Sequence, residues 1–362
     1  MLTTAFHPWH VAHGARLVDF AGWHMPIQYT TITDEHHAVR RGVGLFDIAH
    51  MGRLRFTGPD ACALLDNLLT NDVAGLKLGQ VRYALVCRED GGILDDVLVY
   101  RFAQSYLLVV NASNRVKILD WIEQHHAGFN ATVTDLTLDH PMVAVQGPQA
   151  LAVVESAVGV PFAPMKYYTA EEIVIGGRPA NLSRTGYTGE DGFELIVPTA
   201  AAAGLWQTLI DSPVAQVTSC GLGCRDTLRL EAAMPLYGHE LDESIDPLTA
   251  GLEFGVKLQK PEFIGRAALA QRAEVGVTQR RVGLRLDGRR IAREGATVLK
   301  DGAPVGRVTS GTFSPTLERP IAMAYVAPHL SAAGTKLAVD IRGQQAEGEV
   351  VSLPFYRRPR GT

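Results

Sequence analysis

Two adjacent carboxylates, Asp95 and Asp96, stand at the mouth of the stretch "GGILDDVLVY", residues 91–100. The next four residues, Val97, Leu98, Val99 and Tyr100, form an apolar run of the kind that makes a buried strand. Neighbouring strand residues point to opposite faces, and an unpaired charge is costly to bury. One carboxylate is therefore expected to serve the turn after Gly91 and Gly92, and the other to point into whatever the sheet covers. A carboxylate in that place suits proton transfer or the stabilisation of developing positive charge.

A second candidate is "SRTGYTGEDGFE", residues 183–194, where Gly186, Gly189 and Gly192 are expected to give the backbone freedom of a tight hairpin. Tyr187, Glu190, Asp191 and Glu194 would make it a ligand loop. A carboxylate accepts two hydrogen bonds from an amino-pyrimidine edge, so Glu194 is a candidate reader of a pterin-like ring. "CGLGC", residues 220–224, has one residue too many between its cysteines for a usual redox or metal pair. Thr227 stands where a dinucleotide-binding loop needs its third glycine. The stretch is expected to lead into a helix at "RDTLRLEAAM", with Arg225 at its start. A cation there opposes the helix dipole and suits an anion or a carboxylate.

The histidines are weaker signals. His7, His10 and His13 are spaced for one helical face, and three imidazoles bind zinc, but no further ligand is tied to the trio and no metal is expected. His36 and His37, beside Asp34 and Glu35, do not face one another on a helix, so a solvated helix start is expected.

The positioning elements follow. Residues 59–72 have helical spacing, while strands over 92–100 and 105–111 and a helix over 115–126 make a β-β-α unit. A second mixed unit begins near "DHPMVAVQGPQA" and includes the helix "AAGLWQTLIDS". From about residue 280, short strands with Gly, Pro and Asp turns suggest a small β-barrel. The class is α+β, with a boundary near 275–282. At 362 residues the chain suffices for two or three domains. A net charge of −4 without a long basic block argues against nucleic acid as the main partner, and no stretch approaches the roughly 20 apolar residues of a membrane span. The amino-terminal stretch lacks a secretory or organelle layout, and four cysteines in a chain this long do not suggest a disulfide framework. A cytoplasmic protein is expected.

Read in order, "GARLVDFAGWHMPIQY", "EHHAVRRGVGLFDIAHMG", "GGILDDVLVY", "SRTGYTGEDGFE", "GLGCRDTLRLEA", "PLYGHELDE" and "SGTFSPTLE" resemble the aminomethyltransferases, the T proteins of the glycine cleavage system. The resemblance runs from about Phe6 to the terminal "LPFYRR". It implies an α+β, three-domain cloverleaf around a central folate channel. Residues 1–50 plus 137–275 would form a discontinuous first domain, 51–136 the second, and 280–362 the barrel. It also implies tetrahydrofolate as co-substrate, the lipoylated H protein as partner, and the P and L proteins as loose associates. Asp96 would stand beside the folate nitrogen that attacks, with Asp95 facing away to hold the turn. Met51, Tyr83, Tyr100, Val109, Asn111, Tyr187, Glu194, Arg225, Tyr356 and Arg357 match folate-channel positions.

Two residues depart from the family pattern: Met234, where some relatives carry an aromatic, and Glu318, where relatives often carry glycine. The rival function is a folate-dependent demethylase of a small methylated amine or sulfonium compound. The folate-binding iron–sulfur assembly protein of the superfamily is disfavoured, because "MPLYGHELDE" has no cysteine where its marker segment would fall. A fused oxidase is not expected, since the match starts at the amino terminus.

Overall fold

The strand bearing the paired carboxylates runs Ile93–Arg101, pairs antiparallel with Tyr106–Val110, and is followed by the helix Arg115–Gln124. This is the β-β-α unit expected from the apolar runs, with Val97, Val99, Leu108 and Val110 all buried. The computed structural model describes residues 1–162 and 164–359, so the last three residues of the expected barrel segment lie outside it.

The carboxylate strand belongs to a five-stranded sheet ordered Val81–Cys87, Ile93–Arg101, Tyr106–Val110, Gly52–Thr57, Thr132–Asp135. A six-stranded sheet is ordered Ala170–Ile175, Arg178–Ser183, Gly192–Ile196, Met142–Gln146, Val43–Asp47, Val217–Cys220. Its neighbours are antiparallel except the last pair, which is parallel. The helices Ala150–Val158 and Thr199–Ile210 bury Val153, Val154, Leu205, Trp206 and Leu209 in one core with Val143, Val145 and Leu195 of this sheet. Each such side chain taken from water contributes about 1.5–3 kcal/mol before entropy is counted.

The chain divides into two compact units, Met1–Ala84 with Asp96–Arg225, and Leu85–Asp95 with Asp226–Thr362. The second contains the closed barrel, ordered Arg280–Leu286, Arg319–Val326, Ala303–Ser314, Thr297–Lys300, Lys336–Ile341, Gln344–Val351. Closure leaves no strand edge to aggregate, and Val282, Leu284, Val308, Ala324, Val339 and Val350 fill the interior. Its strands begin at Arg280 after a helix that ends at Val275, within the expected boundary. No described helix is long and apolar enough to cross a membrane.

Several local expectations are corrected. The helix of residues 59–72 is only Ala61–Leu68, because Asp66 Oδ1 accepts the backbone N–H groups of Val73 (2.7 Å) and Ala74 (3.2 Å) and holds the chain in a turn. The helix expected at Arg225 begins earlier, at Leu222. The "DEHH" helix, Ile32–Arg41, is capped by Thr31 and exposes Thr33 and Asp34 as expected, but Glu35 and His36 are fully buried. Glu35 instead accepts the backbone N–H groups of Tyr29 (2.6 Å), Thr30 (3.0 Å) and Gly221 (2.8 Å). Asp95 lies inside its strand, fully buried, and the turn's own carboxylate is Asp90, whose Oδ1 accepts Gly92 N–H at 3.0 Å.

The histidine trio is dispersed among separate partners. His7 meets His24 at 2.9 Å and His13 meets the Trp9 carbonyl at 2.8 Å. Buried His10 lies between Asp47 (2.9 Å) and the Tyr29 hydroxyl (2.8 Å). Among the described residues, the one compact cluster of metal-ligand types is Glu35, Cys220 and Cys224. There the Cys220 and Cys224 thiols donate to backbone carbonyls and the Glu35 carboxylate is taken by N–H groups, so the groups are already matched.

Candidate active site

Alternation along the strands sets the site. Asp96, Leu98 and Tyr100 share one face, Leu98 pairs with Val109, and Val109 shares its face with Asn111. The Asp96 carboxylate is half-buried and held at both oxygens. Tyr83 donates its hydroxyl to Oδ2 at 3.1 Å, and Asn111 Nδ2 donates to Oδ1 at 2.8 Å and to the Asp96 carbonyl at 3.2 Å. Asn111 follows the last strand residue, Val110, and stands at the start of the short 3-10 turn Ala112–Asn114. Tyr83 and Asn111 are both neutral donors, so they orient the carboxylate without bringing charge to it.

At the far end of the same face, the buried Tyr100 hydroxyl lies beside Ser183, Thr185 and Glu194, with no partner in hydrogen-bond geometry. Burial and the Glu194 charge raise its pKa well above the usual phenol value, against the two hydroxyls. Glu194 pairs across the hairpin with Ser183, and its Oε2 accepts the Thr185 hydroxyl at 2.6 Å. Burial pushes its carboxyl above the usual range, while Thr185 and Arg225 pull the other way.

Arg225 comes from the first turn of the helix Leu222–Glu231 and lies over the Tyr187 ring, 4.7 Å from its centre. Its Nη1 is buried and unbonded, and burial draws its pKa down against the opposing influence of Tyr187 and Glu194. His50, 2% exposed, also carries an unbonded buried Nδ1. Its pKa falls to about 3, through burial and the charges of Arg225 and Arg53 against the pull of Asp47, so the ring is neutral. Met51 follows at a corner closed by its N–H to the Ile48 carbonyl (3.1 Å), with its own carbonyl accepting Arg53 Nη1 at 2.6 Å.

The loop's carboxylates sort themselves. Glu190 is paired with Arg40 at 2.9 Å and Asp191 with Arg184 at 2.5 Å, whereas the Glu194 carboxylate accepts the Thr185 hydroxyl. The hairpin forms, but its glycines do not all serve it as expected. Only Gly189, at φ +82°, uses left-handed backbone; a Cβ on Gly186 or Gly192 would lie 2.0 or 2.3 Å from the Gln146 side chain. Gln146 needs that space because it ties Thr185 (3.0 Å) and Thr188 (2.9 Å) to the sheet.

Thus the first unit contains nine of the sequence-expected residues: Met51, Tyr83, Asp96, Tyr100, Val109, Asn111, Tyr187, Glu194 and Arg225. Tyr356 and Arg357 belong to the second unit, where Tyr356 N–H bonds the Glu231 carbonyl at 2.8 Å and Arg357 is exposed. Thr185 is a site group that the sequence reading passed over, detectable as a hydroxyl two residues beyond Ser183.

An α/β body carrying a dense polar site, followed by a closed barrel, defines the class, and comparison with known proteins agrees. Residues 6–260 match the family described as the GCVT N-terminal domain, and residues 279–357 the glycine cleavage T-protein C-terminal barrel domain. The chain belongs to the aminomethyltransferase, or glycine cleavage T-protein, family. It is 48% identical to the aminomethyltransferase of Streptomyces coelicolor, covering 99% of this chain and 98% of that one. It is 47% identical to that of Moorella thermoacetica, covering 97% and 96%. The crystal structure of glycine cleavage system aminomethyltransferase T from Bartonella henselae matches with a TM-score of 0.93 at 36% identity, covering 99% of this chain and 98% of that chain.

Proposed function

We infer that this chain is the aminomethyltransferase of a glycine cleavage system. In that reaction the methylene carbon passes from the aminomethyl-dihydrolipoyl arm of H protein to tetrahydrofolate, with ammonia and the reduced dithiol arm released. The observation that carries the reading at the site is the Asp96 carboxylate, oriented by Tyr83 and Asn111 and left part-exposed. Full-length similarity to aminomethyltransferases supports it and disfavours the demethylase.

The donor set fits tetrahydrofolate. Glu194 offers acceptor oxygens for an amino-pyrimidine edge, and Tyr100 and Arg225 each hold an unbonded buried donor beside it. Tyr187, Val109 and Met51 supply apolar surface. Tetrahydrofolate, when bound, supplies the nitrogen that accepts the carbon. Asp96 orients that amine through a hydrogen bond, stabilises positive charge as its bond forms, and can take its proton. Tyr356 and Arg357 complete our assignment of folate-binding residues.

Lipoylated H protein is the carrier, with P and L proteins as loosely associated members. The cytoplasm is the proposed location, since the cysteines at 62, 87, 220 and 224 are all free. The three-domain division is supported by sheet membership. The six-stranded sheet draws its strands from 43–47 and 142–220, the five-stranded sheet from 52–135, and the barrel from 280–351.

The test is to mix the protein with aminomethyl-loaded, lipoylated H protein and follow ammonia and 5,10-methylenetetrahydrofolate with and without tetrahydrofolate. Folate-dependent release of both products is expected. Folate binding without carrier turnover would overturn the transferase in favour of demethylation, checked against small methylated amines and sulfonium compounds.

A further inference from the structure

Tyr168 holds a backbone conformation that a bulky side chain adopts only under constraint, φ +62° in the left-handed region. It lies outside the strands, one residue before the isolated bridge between Thr169 and Gln80 and two before Ala170–Ile175. Two hydrogen bonds pin it. Its N–H donates to the Arg184 carbonyl at 2.9 Å, and its carbonyl accepts Val81 N–H at 2.9 Å.

Those two partners place it between the two carboxylates of the site. Val81 is two residues before Tyr83, on the same strand, and Tyr83 bonds Asp96. Arg184 immediately precedes Thr185, which bonds Glu194. The ring is half-buried, with Tyr167 packed edge-on at 5.0 Å. Its hydroxyl is not among the buried unbonded atoms, and no described residue hydrogen-bonds it. The group is therefore a reachable donor that the protein itself does not use. Burial, Tyr167, Glu194 and Asp96 all hold its pKa above the usual phenol value, so it remains protonated.

Strain of this kind costs on the order of 1–3 kcal/mol and persists where the surroundings over-determine it, often at ligand sites. Here the first residue of the strand Val81–Cys87 and the loop residue Arg184 impose it, and what they present is one free phenol between Asp96 and Glu194. We propose that Tyr168 is a further substrate-contacting residue, whose hydroxyl hydrogen-bonds the bound folate between the end read by Glu194 and the nitrogen served by Asp96. This rests on the aminomethyltransferase reading.

The experiment measures tetrahydrofolate binding by anaerobic calorimetry, together with the melting temperature, for the full chain and its Tyr168→Phe and Tyr167→Phe variants. Loss of one neutral hydrogen bond to the ligand should weaken binding by Tyr168→Phe roughly threefold to tenfold. Tyr167→Phe should bind as the parent does. Because no protein group uses the Tyr168 hydroxyl, its removal should leave the melting temperature unchanged. Unaltered binding by Tyr168→Phe, or a weakening accompanied by a clear fall in melting temperature, would overturn the inference. A parent chain that fails to bind tetrahydrofolate would instead overturn the functional reading on which it stands.

Discussion

Arg225 and Arg229 come from one helix, four residues apart, yet they are treated in opposite ways. Arg229 is saturated: Nε donates to Asp226 (2.8 Å), Nη1 to Glu240 (2.8 Å) and Nη2 to Ser310 (2.8 Å). Burial would raise the Glu240 carboxyl, but Arg229 and the hydroxyls of Ser310 and Thr309 outweigh it and hold it below the usual range. Arg225 has a ring beneath it and an empty-handed Nη1. A buried charge matched on every side maintains a fold. One left open costs stability and is retained where a ligand completes it. The same contrast separates Glu190, closed by Arg40, from Glu194.

Breaking the catalytic side of this comparison should give the largest effect. Asp96→Asn keeps the shape and removes the charge, so kcat for methylene transfer should fall by about 10²–10⁴-fold, with the melting temperature held. A normal rate would remove Asp96 from the chemistry.

Next come the arginines. Arg229→Met strands the buried Glu240 and should cost about 3–5 kcal/mol of unfolding free energy, read by denaturant titration. Arg225→Met should cost little or even stabilise, while folate binding is lost. Equal destabilisation by the two would erase the distinction between closed and open charge.

His50 sharpens the comparison through pH. Its folded pKa is about 3 and its unfolded value about 6.5, so between those limits the unfolded chain binds a proton that the folded chain refuses. Stability from this group is full above pH 6.5 and declines as pH falls toward 3, by up to about 1.4 kcal/mol per unit. A His50→Asn variant should show a flatter acid limb in melting temperature against pH than the parent. Parallel curves would count against the depressed pKa.

The smallest effect lies in the barrel. Glu318 sits at φ +53°, a left-handed conformation for which glycine is suited. Glu318→Gly should gain up to about 1 kcal/mol, visible as a small rise in melting temperature with activity unchanged.

The strands were legible because their apolar runs are continuous; Ile93–Arg101 and Tyr106–Val110 fall within a residue or so of expectation. Burial of single polar residues was not legible. Glu35 and His36 carry the charge pattern of a solvated helix start, and only the distant Gly221, joining a backbone N–H to Glu35, explains why the carboxylate is inside. Gly186 and Gly192 likewise owe their identity to Gln146, some forty residues away, rather than to their own turn. Asp96 and Glu194 stood out because a carboxylate beside an apolar strand has few bland explanations. Tyr168 gave no such sign, since φ is invisible in composition.

The most direct measurement is the shift in melting temperature on adding tetrahydrofolate under anaerobic conditions to the parent and to Arg225→Met. A ligand that binds only the folded state raises it by an amount that grows with the logarithm of its concentration over Kd. A clear rise for the parent and almost none for Arg225→Met is the predicted result. Equal rises in both would contradict the claim that the open charge of this helix belongs to the ligand.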